Sequence, residues 1–320
     1  MAKINIVQAI NQALREEMER DADVIVLGED VGKDGGVFRV TEGLLEKFGP
    51  ARVIDTPLAE LGIAGAAIGM AAYGLKPVVE MQFMAFSYEA IEQIFSHAAR
   101  LRNRSRGRYN CPIVVRMPYG VGIKGPELHM DSSEALFCHM PGIKVVVPST
   151  PYNAKGLLTS AIRDPDPVVF LEPARLYRAI KTEVPQGEFT LALGKADVFQ
   201  EGRDITAISW GAMLHRVIDA SEGFDCEIID LKTLKPFDEE TILNSVKKTG
   251  RVVIVHEATK YCGLGAEVAA FLAQEAIMHL KGPVARVAAP EAVVPMALLE
   301  DYYMPSKERI RRAFEEAMKY

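Results

Sequence analysis

The sequence predicts an α/β protein made of two doubly wound domains, and three observations support this class. Short runs rich in β-branched residues alternate with longer stretches that have helical periodicity. The runs are apolar at successive positions, which is typical of parallel strands covered on both faces. The chain has 320 residues, and at roughly 100–200 residues per domain this length favours two domains.

The first 180 residues contain the first group of predicted strands, with helices between several of them. The helical segments are Glu60–Gly74, Tyr88–Ser105 and Tyr152–Ile162. This order is the βαβ pattern of a parallel sheet. The predicted strands are Val24–Gly28, Arg52–Thr56, Pro77–Met81, Pro112–Arg116, Lys144–Pro148 and Pro167–Leu171.

Residues 181–198 break this alternation, because they hold Pro185, Gly187 and Gly194 among charged residues. We therefore predict a domain over 1–180, a linker over 181–198 and a second domain over 199–320. The second domain repeats the alternation of strand and helix. Its predicted strands are Ile205–Trp210, Cys226–Asp230, Arg251–Glu257 and Pro283–Val287, and its helices are Met213–Glu222, Asp238–Lys248, Ala266–Leu280 and Ser306–Lys319.

The composition excludes several classes of protein. The chain carries 37 Lys and Arg against 43 Asp and Glu, and this net charge of −6 argues against nucleic-acid binding. Its longest uncharged apolar stretch, Leu61–Leu75, is shorter than the roughly 20 residues of a membrane-spanning helix. The N-terminus has early acids and does not resemble a signal peptide. The four cysteines form no CxxC pair, so we expect a reduced, cytoplasmic protein without a disulfide framework.

Common catalytic and nucleotide-binding motifs are missing from the sequence. It contains no P-loop, GxSxG or HExxH pattern. GDG followed by paired asparagines, which marks a Mg²⁺–diphosphate site, is also absent. The segment Gly263–Val268 departs from a dinucleotide-binding motif at its third glycine, so we interpret it as a tight turn before a helix.

Glu60 is notable because it begins a helix whose next fifteen residues carry no charge. One interpretation is a solvated first-turn acid, which the helix dipole favours. The many Gly and Ala residues of that helix instead predict close packing against another element, so we expect a buried helix. A carboxylate there lies at the carboxyl edge of a parallel sheet, where α/β proteins bind ligands.

Three further residues follow predicted strands and are candidates for the same edge. Gln82 and Phe86 come after a strand that ends near Val79, although an aromatic residue there is equally consistent with core packing. His129 lies in a glycine-rich loop, and its imidazole could exchange protons near neutral pH. The alternative for His129 is a solvated loop side chain without a role.

Together these segments resemble the β subunit of the E1 component of 2-oxo acid dehydrogenase complexes, a transketolase-like family of thiamine diphosphate enzymes. The resemblance covers essentially the whole chain. It implies a thiamine-diphosphate-binding domain of the pyrimidine type, followed by a transketolase C-terminal-like domain for subunit and E2 contacts. The segments that carry it are Val24–Asp30, Val53–Ala67, Glu80–Gln93, His129–Ala135, Cys138–Ser149, Ala154–Pro167 and Glu227–Pro236.

The resemblance also implies partners. Family members form heterotetramers of two α and two β subunits, in which the α subunit binds the diphosphate and Mg²⁺. The missing GDG motif agrees with that division. The assembled enzyme decarboxylates a 2-oxo acid oxidatively and transfers the acyl group to the lipoyl group of an E2 acyltransferase. The β subunit is expected to be active only with its α subunit.

The resemblance assigns roles to the candidate residues. Glu60 matches the acid that hydrogen-bonds N1′ of the aminopyrimidine, where a carboxyl group shares its proton and promotes the loss of the thiazolium C2 proton. Phe86 matches the aromatic residue that packs on the pyrimidine ring, and Leu58 and Gln82 match positions that line its pocket. His129 matches the histidine that serves proton transfer when the lipoyl group is acylated.

A K⁺ site is a further feature of the resemblance. The matching positions are Ile113, Ala161 and Ile162, through their backbone carbonyls, together with Asp164 and Asp166. Oxygen ligands of this kind suit a hard cation. Relatives often have Asn where Asp166 stands, so the local charge differs.

The substrate is predicted less directly. Gln82-Phe83 and the segment from Phe170 to Ala179 look more like the branched-chain 2-oxo acid enzymes than the pyruvate enzymes. Pyruvate dehydrogenase and acetoin dehydrogenase β subunits are the alternatives within the family. A single-chain transketolase-type enzyme would need the absent diphosphate motif. A non-catalytic nucleotide-binding or scaffold module is the alternative from a different class, and it predicts no effect of Glu60 on turnover.

Overall fold

The computed structural model describes residues 2–320, and its strands form three sheets. The first is a seven-stranded sheet in the order β12-β6-β7-β5-β4-β2-β3, and the second is five-stranded in the order β14-β13-β10-β11-β9. A small third sheet pairs β1 with β8. The strands are β1 Ala2–Ile4, β2 Val24–Gly28, β3 Val53–Asp55, β4 Lys76–Glu80, β5 Val114–Tyr119, β6 Lys144–Val146, β7 Val168–Pro173, β8 Thr182–Val184, β9 Asp197–Gln200, β10 Ile205–Ser209, β11 Cys226–Asp230, β12 Thr233–Lys235, β13 Val252–Thr259 and β14 Ala285–Ala289.

The α-helices cover the faces of the two larger sheets. Short 3₁₀ and π segments occur between some of them. No helix among residues 2–320 combines the length and apolarity needed to cross a bilayer. The helices are α1 Ile6–Arg20, α2 Leu44–Phe48, α3 Glu60–Ala72, α4 Leu101–Arg104, α5 Glu134–His139, α6 Pro151–Arg163, α7 Ala212–Ala220, α8 Glu239–Thr249, α9 Leu264–Glu275, α10 Glu300–Tyr303 and α11 Lys307–Ala317.

The predicted fold class is confirmed. Strands β2, β4, β5 and β7 pair in parallel through the middle of the first sheet, and β10, β11, β13 and β14 are parallel in the second. Every residue of β2, β5 and β10 is buried, as the unbroken apolar runs indicated. Antiparallel strands, β12 in the first sheet and β9 in the second, close one edge of each.

The helix predicted over Tyr88–Ser105 is broken in the structure. A π segment over Glu92–His97 and a 3₁₀ turn over Ala98–Arg100 precede the short α4. The guanidinium of Arg100 donates to the carbonyl oxygen of Phe95 at 3.1 Å. This side-chain donor satisfies a carbonyl oxygen inside the irregular segment.

The predicted linker contains regular structure. Within residues 181–198, β8 pairs antiparallel with β1, and β9 begins at Asp197. Strand β12 follows β11 in the chain but pairs with β6, so a segment of the second predicted domain extends the first sheet. The two predicted domains are therefore joined by the backbone pairing of β12 with β6, which short apolar runs alone do not indicate.

Helix α3 is buried on one face only. Ile63, Ala64 and Ala67 pack into the core, whereas Gly62 and Gly69 lie on the exposed side within this chain. Within the isolated chain the expected burial of this helix is therefore found on one face. An exposed face of small residues leaves room for another backbone to approach.

Candidate active site

Polar side chains from several strands meet at the carboxyl edge of the first sheet. Glu29 directly follows β2, Glu60 follows β3 at the start of α3, and Gln82 lies two residues beyond β4. The loop Gly120–Asp131, which we call the His129 loop, follows β5. Because β2, β3, β4 and β5 are parallel, their carboxyl ends lie at the same edge.

Two buried carboxyl groups lie near each other at this edge. The side chain of Glu60 is only 5 % exposed, and Glu29 is also buried. Burial raises the pKa of Glu29, and the nearby charge of Glu60 raises it further. Glu29 Oε1 has no hydrogen-bond partner among the described residues. Glu29 was not among the residues that the sequence indicated, although its place directly after a buried strand marks it as an edge residue.

An aromatic cluster surrounds His129. Its ring centroid lies 4.4 Å from that of Phe83 and 5.1 Å from that of Phe86. The rings of Phe83 and Phe86 are 5.3 Å apart in an edge-to-face arrangement, and Phe38 packs on Phe83 at 5.7 Å. The structure thus brings together Phe86 and His129, which the sequence analysis placed separately, and adds Phe38 and Phe83.

The hydrogen bonding of His129 indicates which nitrogen is free. Nδ1 lies 3.0 Å from the carbonyl oxygen of Glu127. A carbonyl oxygen can only accept, so Nδ1 carries the hydrogen and Nε2 keeps its lone pair in the neutral ring. The half-buried ring therefore offers Nε2 as a proton acceptor toward the site.

Gln82 and Leu58 occupy different environments. The side-chain amide of Gln82 donates to Asp30 Oδ2 at 2.9 Å, which orients it at the sheet edge. The side chain of Leu58 is 80 % exposed, so within this chain it lines no closed pocket. Helix α3 packs against the turn Met84–Tyr88, which brings the helix of Glu60 next to Phe86.

A buried set of charged residues, which we call the ion cluster, lies next to the aromatic rings. It consists of Glu80, Arg116, Glu172 and Tyr177. Arg116 is 1 % exposed and donates to Glu80 and, at 2.8 Å, to Glu172 Oε2, which also accepts from the Tyr177 hydroxyl at 2.6 Å. The Tyr177 ring packs on Phe38 at 4.9 Å. The ion cluster thus holds β4, β5 and β7 together next to the site.

Several groups assigned to the K⁺ site already bond to other partners in this chain. Lys144 Nζ binds both carboxylate oxygens of Asp164, at 2.7 and 2.8 Å, and Arg102 donates to Asp166 at 2.6 Å. The carbonyl oxygen of Ile113 accepts from a backbone amide at 3.0 Å, and that of Ala161 accepts at 3.3 Å. The K⁺ site stays a prediction, and the Asp164 carboxylate would be available to it only if Lys144 moved.

Comparison with known proteins first defines the class. Residues 2–180 match the family model described as the transketolase pyrimidine-binding domain, and residues 194–310 match the transketolase C-terminal domain. A solved split-gene transketolase, described as an inactive β4 tetramer, superposes with a TM-score of 0.81 over 99 % of both chains at 24 % identity. The chain is therefore a transketolase-like α/β protein.

Two curated relatives define the family more closely. The pyruvate dehydrogenase E1 component subunit beta of Bacillus subtilis is 49 % identical and is covered, like this chain, over its full length. The subunit of the same name from Staphylococcus epidermidis is 50 % identical over 97 % of each chain. This chain belongs to the family of E1 β subunits of 2-oxo acid dehydrogenases.

Proposed function

We propose that this chain supplies the pyrimidine side of a thiamine diphosphate site in an E1 enzyme that decarboxylates pyruvate. The observation that carries the proposal is the buried Glu29–Glu60 pair, on a sheet edge whose helix α3 packs against the turn holding Phe86. The names of the two relatives support pyruvate as the substrate. The branched-chain preference expected from the sequence has no such support.

The residues present suit a pyrimidine ring. Glu29 Oε1 is a buried polar atom without a partner in the described residues, which indicates a group that completes the site. The rings of Phe83 and Phe86 supply an apolar surface at the same edge of the sheet. Thiamine diphosphate, when bound, supplies the carbon nucleophile that decarboxylation of a 2-oxo acid requires.

Glu60 would hold a proton at a ring nitrogen of the cofactor. Its carboxyl group is buried at the start of α3, near the buried Glu29. Burial and the nearby Glu60 raise the pKa of Glu29, so the site holds a carboxyl group that keeps its proton more readily than a solvated acid. In this proposal the two carboxyl groups serve as the general acid–base at the cofactor ring.

His129 would act in the later acyl transfer. Because Glu127 holds Nδ1, the free Nε2 is the atom that can take or give a proton at a lipoyl thiol. Contacts with Phe83 and Phe86 restrict the ring to one orientation. This arrangement supports a role in acylation of the lipoyl group carried by an E2 acyltransferase.

The remaining parts of the site would come from an α subunit in a heterotetramer. The diphosphate motif is absent from this sequence, so we assign the diphosphate and Mg²⁺ ligands to that subunit. Leu58 and Leu61 are exposed beside Glu60 in this chain. Coverage of both by a partner would enclose the carboxyl pair and convert Leu58 into a pocket residue.

Co-expression with the candidate α subunit tests the proposal. With thiamine diphosphate and Mg²⁺ added, we expect pyruvate-dependent dye reduction by the complex and none by this chain alone. Glu60→Gln should reduce turnover by at least about a hundredfold, because a general acid–base group contributes roughly 10²–10⁴-fold. Glu46→Gln, at an exposed first-turn acid of α2, is the matched control and should retain activity.

Three outcomes decide this test. Gel filtration should show that Glu60→Gln still assembles, so that a loss of turnover reports on the site. Full turnover by Glu60→Gln would falsify the role of this carboxyl, and turnover by the chain alone would contradict the shared site. A higher kcat/KM for 3-methyl-2-oxobutanoate than for pyruvate would restore the branched-chain assignment.

His129→Ala tests the division of labour between the two steps. We expect a loss of roughly a hundredfold or more in acylation of a lipoyl domain, with a much smaller effect on pyruvate-dependent dye reduction. Single-turnover measurements of each step on the assembled enzyme make the comparison. Equal losses in both steps would show that His129 is not specific to acyl transfer.

A further inference from the structure

The second sheet and its flanking segments hold the His129 loop through two buried carboxylates. Val121 N donates to Glu257 Oε1 at 2.5 Å, and Lys124 N donates to Glu300 Oε2 at 2.9 Å. Glu257 lies in β13 and Glu300 begins α10, more than a hundred residues away along the chain. Their side chains are 3 % and 2 % exposed, respectively. Both acceptors are therefore directed at backbone amides of one functional loop.

The loop has further support from the core, where Val121 and Met130 are buried, and from hydrogen bonds at its base. Gly120 N donates to the carbonyl oxygen of Asp131 at 2.9 Å, and the Tyr88 hydroxyl donates to the Asp131 carboxylate at 2.9 Å. Between these ends, Lys124 and Leu128 adopt positive φ angles of 53° and 68°. Such conformations are unfavourable for residues with a side chain, so the loop needs outside contacts to stay in one shape.

Arg175 completes the support on the other side of the loop. Its guanidinium lies 3.3 Å from Asp301 and 3.9 Å from Glu300. Its Cβ lies so close to Gly122 that a Cβ added there would be 2.5 Å away, and Gly122 has a φ of 133°. Arg175 thus connects Glu300 to the first domain. Its side chain also packs directly against the loop at Gly122.

We propose that Glu257 and Glu300 are positioning residues that hold the His129 loop so that the imidazole stays against Phe83 and Phe86. This proposal rests on the function proposed above for His129, and it assigns the second domain a part in acyl transfer. Neither carboxylate is placed in contact with substrate or cofactor. They act on the reaction through the position of the loop backbone.

The chemistry of the two acceptors suits this task. Each buried carboxyl group places an acceptor oxygen within hydrogen-bond distance of a loop amide. Burial raises the pKa of Glu257 to about 8, and its neighbours Glu134 and Glu300 raise it while Arg175 lowers it. A carboxyl oxygen accepts in both protonation states, so the contact with Val121 persists through neutral pH.

Three variants of Glu257 distinguish two roles of its side chain: an acceptor that positions the His129 loop, or a group that only fills buried volume. Glu257→Gln keeps an acceptor oxygen of the same reach, Glu257→Asp withdraws the acceptor by one methylene, and Glu257→Leu removes it at similar volume. The same three changes apply to Glu300. Glu227→Leu is the matched control, because Glu227 is a buried acid of the second domain that bonds Lys248 and not the loop.

Hydrogen exchange of the assembled heterotetramer is the first measurement, and it requires no turnover. Segments that span 120–131 should exchange roughly tenfold faster in the Asp and Leu variants, which corresponds to loss of about one hydrogen bond. The Gln variants and Glu227→Leu should match the wild type in these segments. If a Leu variant fails to assemble, the Asp variant still decides the result. Unchanged protection of 120–131 in the Asp variants overturns the proposal.

Single-turnover acylation of a lipoyl domain is the second measurement. The Asp and Leu variants should lose roughly ten- to a hundredfold in acylation, as expected for a misplaced catalytic group, and the Gln variants should recover it. Pyruvate-dependent dye reduction should change less than threefold. Lost protection with unchanged acylation overturns the positioning role. Absence of turnover in the wild-type complex instead contradicts the proposed function, and the exchange result then reports on the loop alone.

Discussion

The molecule contains two buried acidic clusters that are stabilised in different ways. In the ion cluster, Arg116 compensates two carboxylates, and Glu172 also accepts from Tyr177. A second group between the two larger sheets, which we call the junction cluster, consists of Tyr119, Glu134, Asp230 and Glu257. No Lys, Arg or His of the described residues lies within ion-pair distance of its three carboxyl groups.

The junction cluster is held by neutral donors and by retained protons. Ser149 donates to Asp230 at 2.7 Å, Trp210 to Glu134 at 3.3 Å and Val121 N to Glu257. Burial raises the pKa of Glu134 and Asp230 to about 7 and that of Glu257 to about 8. A buried acid thus stays stable either beside a fixed cation or by keeping its proton, and only the second solution depends on pH near neutrality.

Removal of the cation should have the largest effect on stability. Arg116→Met leaves Glu80 and Glu172 buried without their partner, so we expect a loss of about 3–5 kcal/mol in the free energy of unfolding. Urea denaturation of the purified chain measures this loss. A loss below about 1 kcal/mol would show that the cluster is not charge-compensated as described.

Two almost fully buried tyrosines, one in each cluster, provide a matched pair of variants. Their expected effect on the free energy of unfolding is smaller than that of Arg116→Met. Tyr177 donates to Glu172 at 2.6 Å, whereas the Tyr119 hydroxyl packs against Gly211 without a partner in the described residues. We expect Tyr177→Phe to cost about 1.5–3 kcal/mol and Tyr119→Phe to be nearly neutral. Urea midpoints of both variants make the comparison. Equal losses of stability in the two variants would contradict the claim that the hydroxyl is bonded in the ion cluster and unbonded in the junction cluster.

The junction cluster predicts a pH dependence with a definite sign. At pH 6.5 the unfolded carboxyls are ionised while the buried ones still hold most of their protons, so stability should fall as pH rises and level off above the folded-state pKa values of about 7–8. Each protonated carboxyl contributes a slope of up to about 1.4 kcal/mol per pH unit. Burial lowers the pKa of His256 to about 4, so its effect on the slope has the opposite sign. That effect is lost above pH 6.5, because the histidine is then neutral in the unfolded chain as well.

Urea unfolding at several pH values checks this slope. Asp230→Asn removes one titrating group of the junction cluster and should flatten the decline above pH 6.5 by up to the same amount. Glu227→Gln, in a buried acid paired with Lys248, is the control and should leave the slope unchanged. Stability that rises between pH 6.5 and 8 in the wild type would contradict the proton-retaining interpretation.

The sequence predicted those parts of the fold that depend on neighbours in the chain. Runs such as Val24–Gly28 are apolar at every position, and they form fully buried strands as expected. The predicted helix begins at Ser306, and in the structure Ser306 is the N-cap of α11. Its side chain accepts a hydrogen bond from Arg309 N at 3.3 Å. The break within Tyr88–Ser105 was not predicted, because no Pro or Gly interrupts that stretch of the sequence.

The candidate site likewise has residues that the sequence indicates and contacts that only the tertiary structure determines. Family-like motifs in the sequence marked Glu60, Gln82, Phe86 and His129 as site residues, and their roles remain proposals. Tertiary structure alone decided that Phe83 contacts His129 and that Glu29 lies beside Glu60. It also decided that Glu257 reaches Val121, which is 136 residues away along the chain. Local sequence sets periodicity and capping, whereas charge pairing and loop support depend on which distant segments the packed core brings within hydrogen-bond distance.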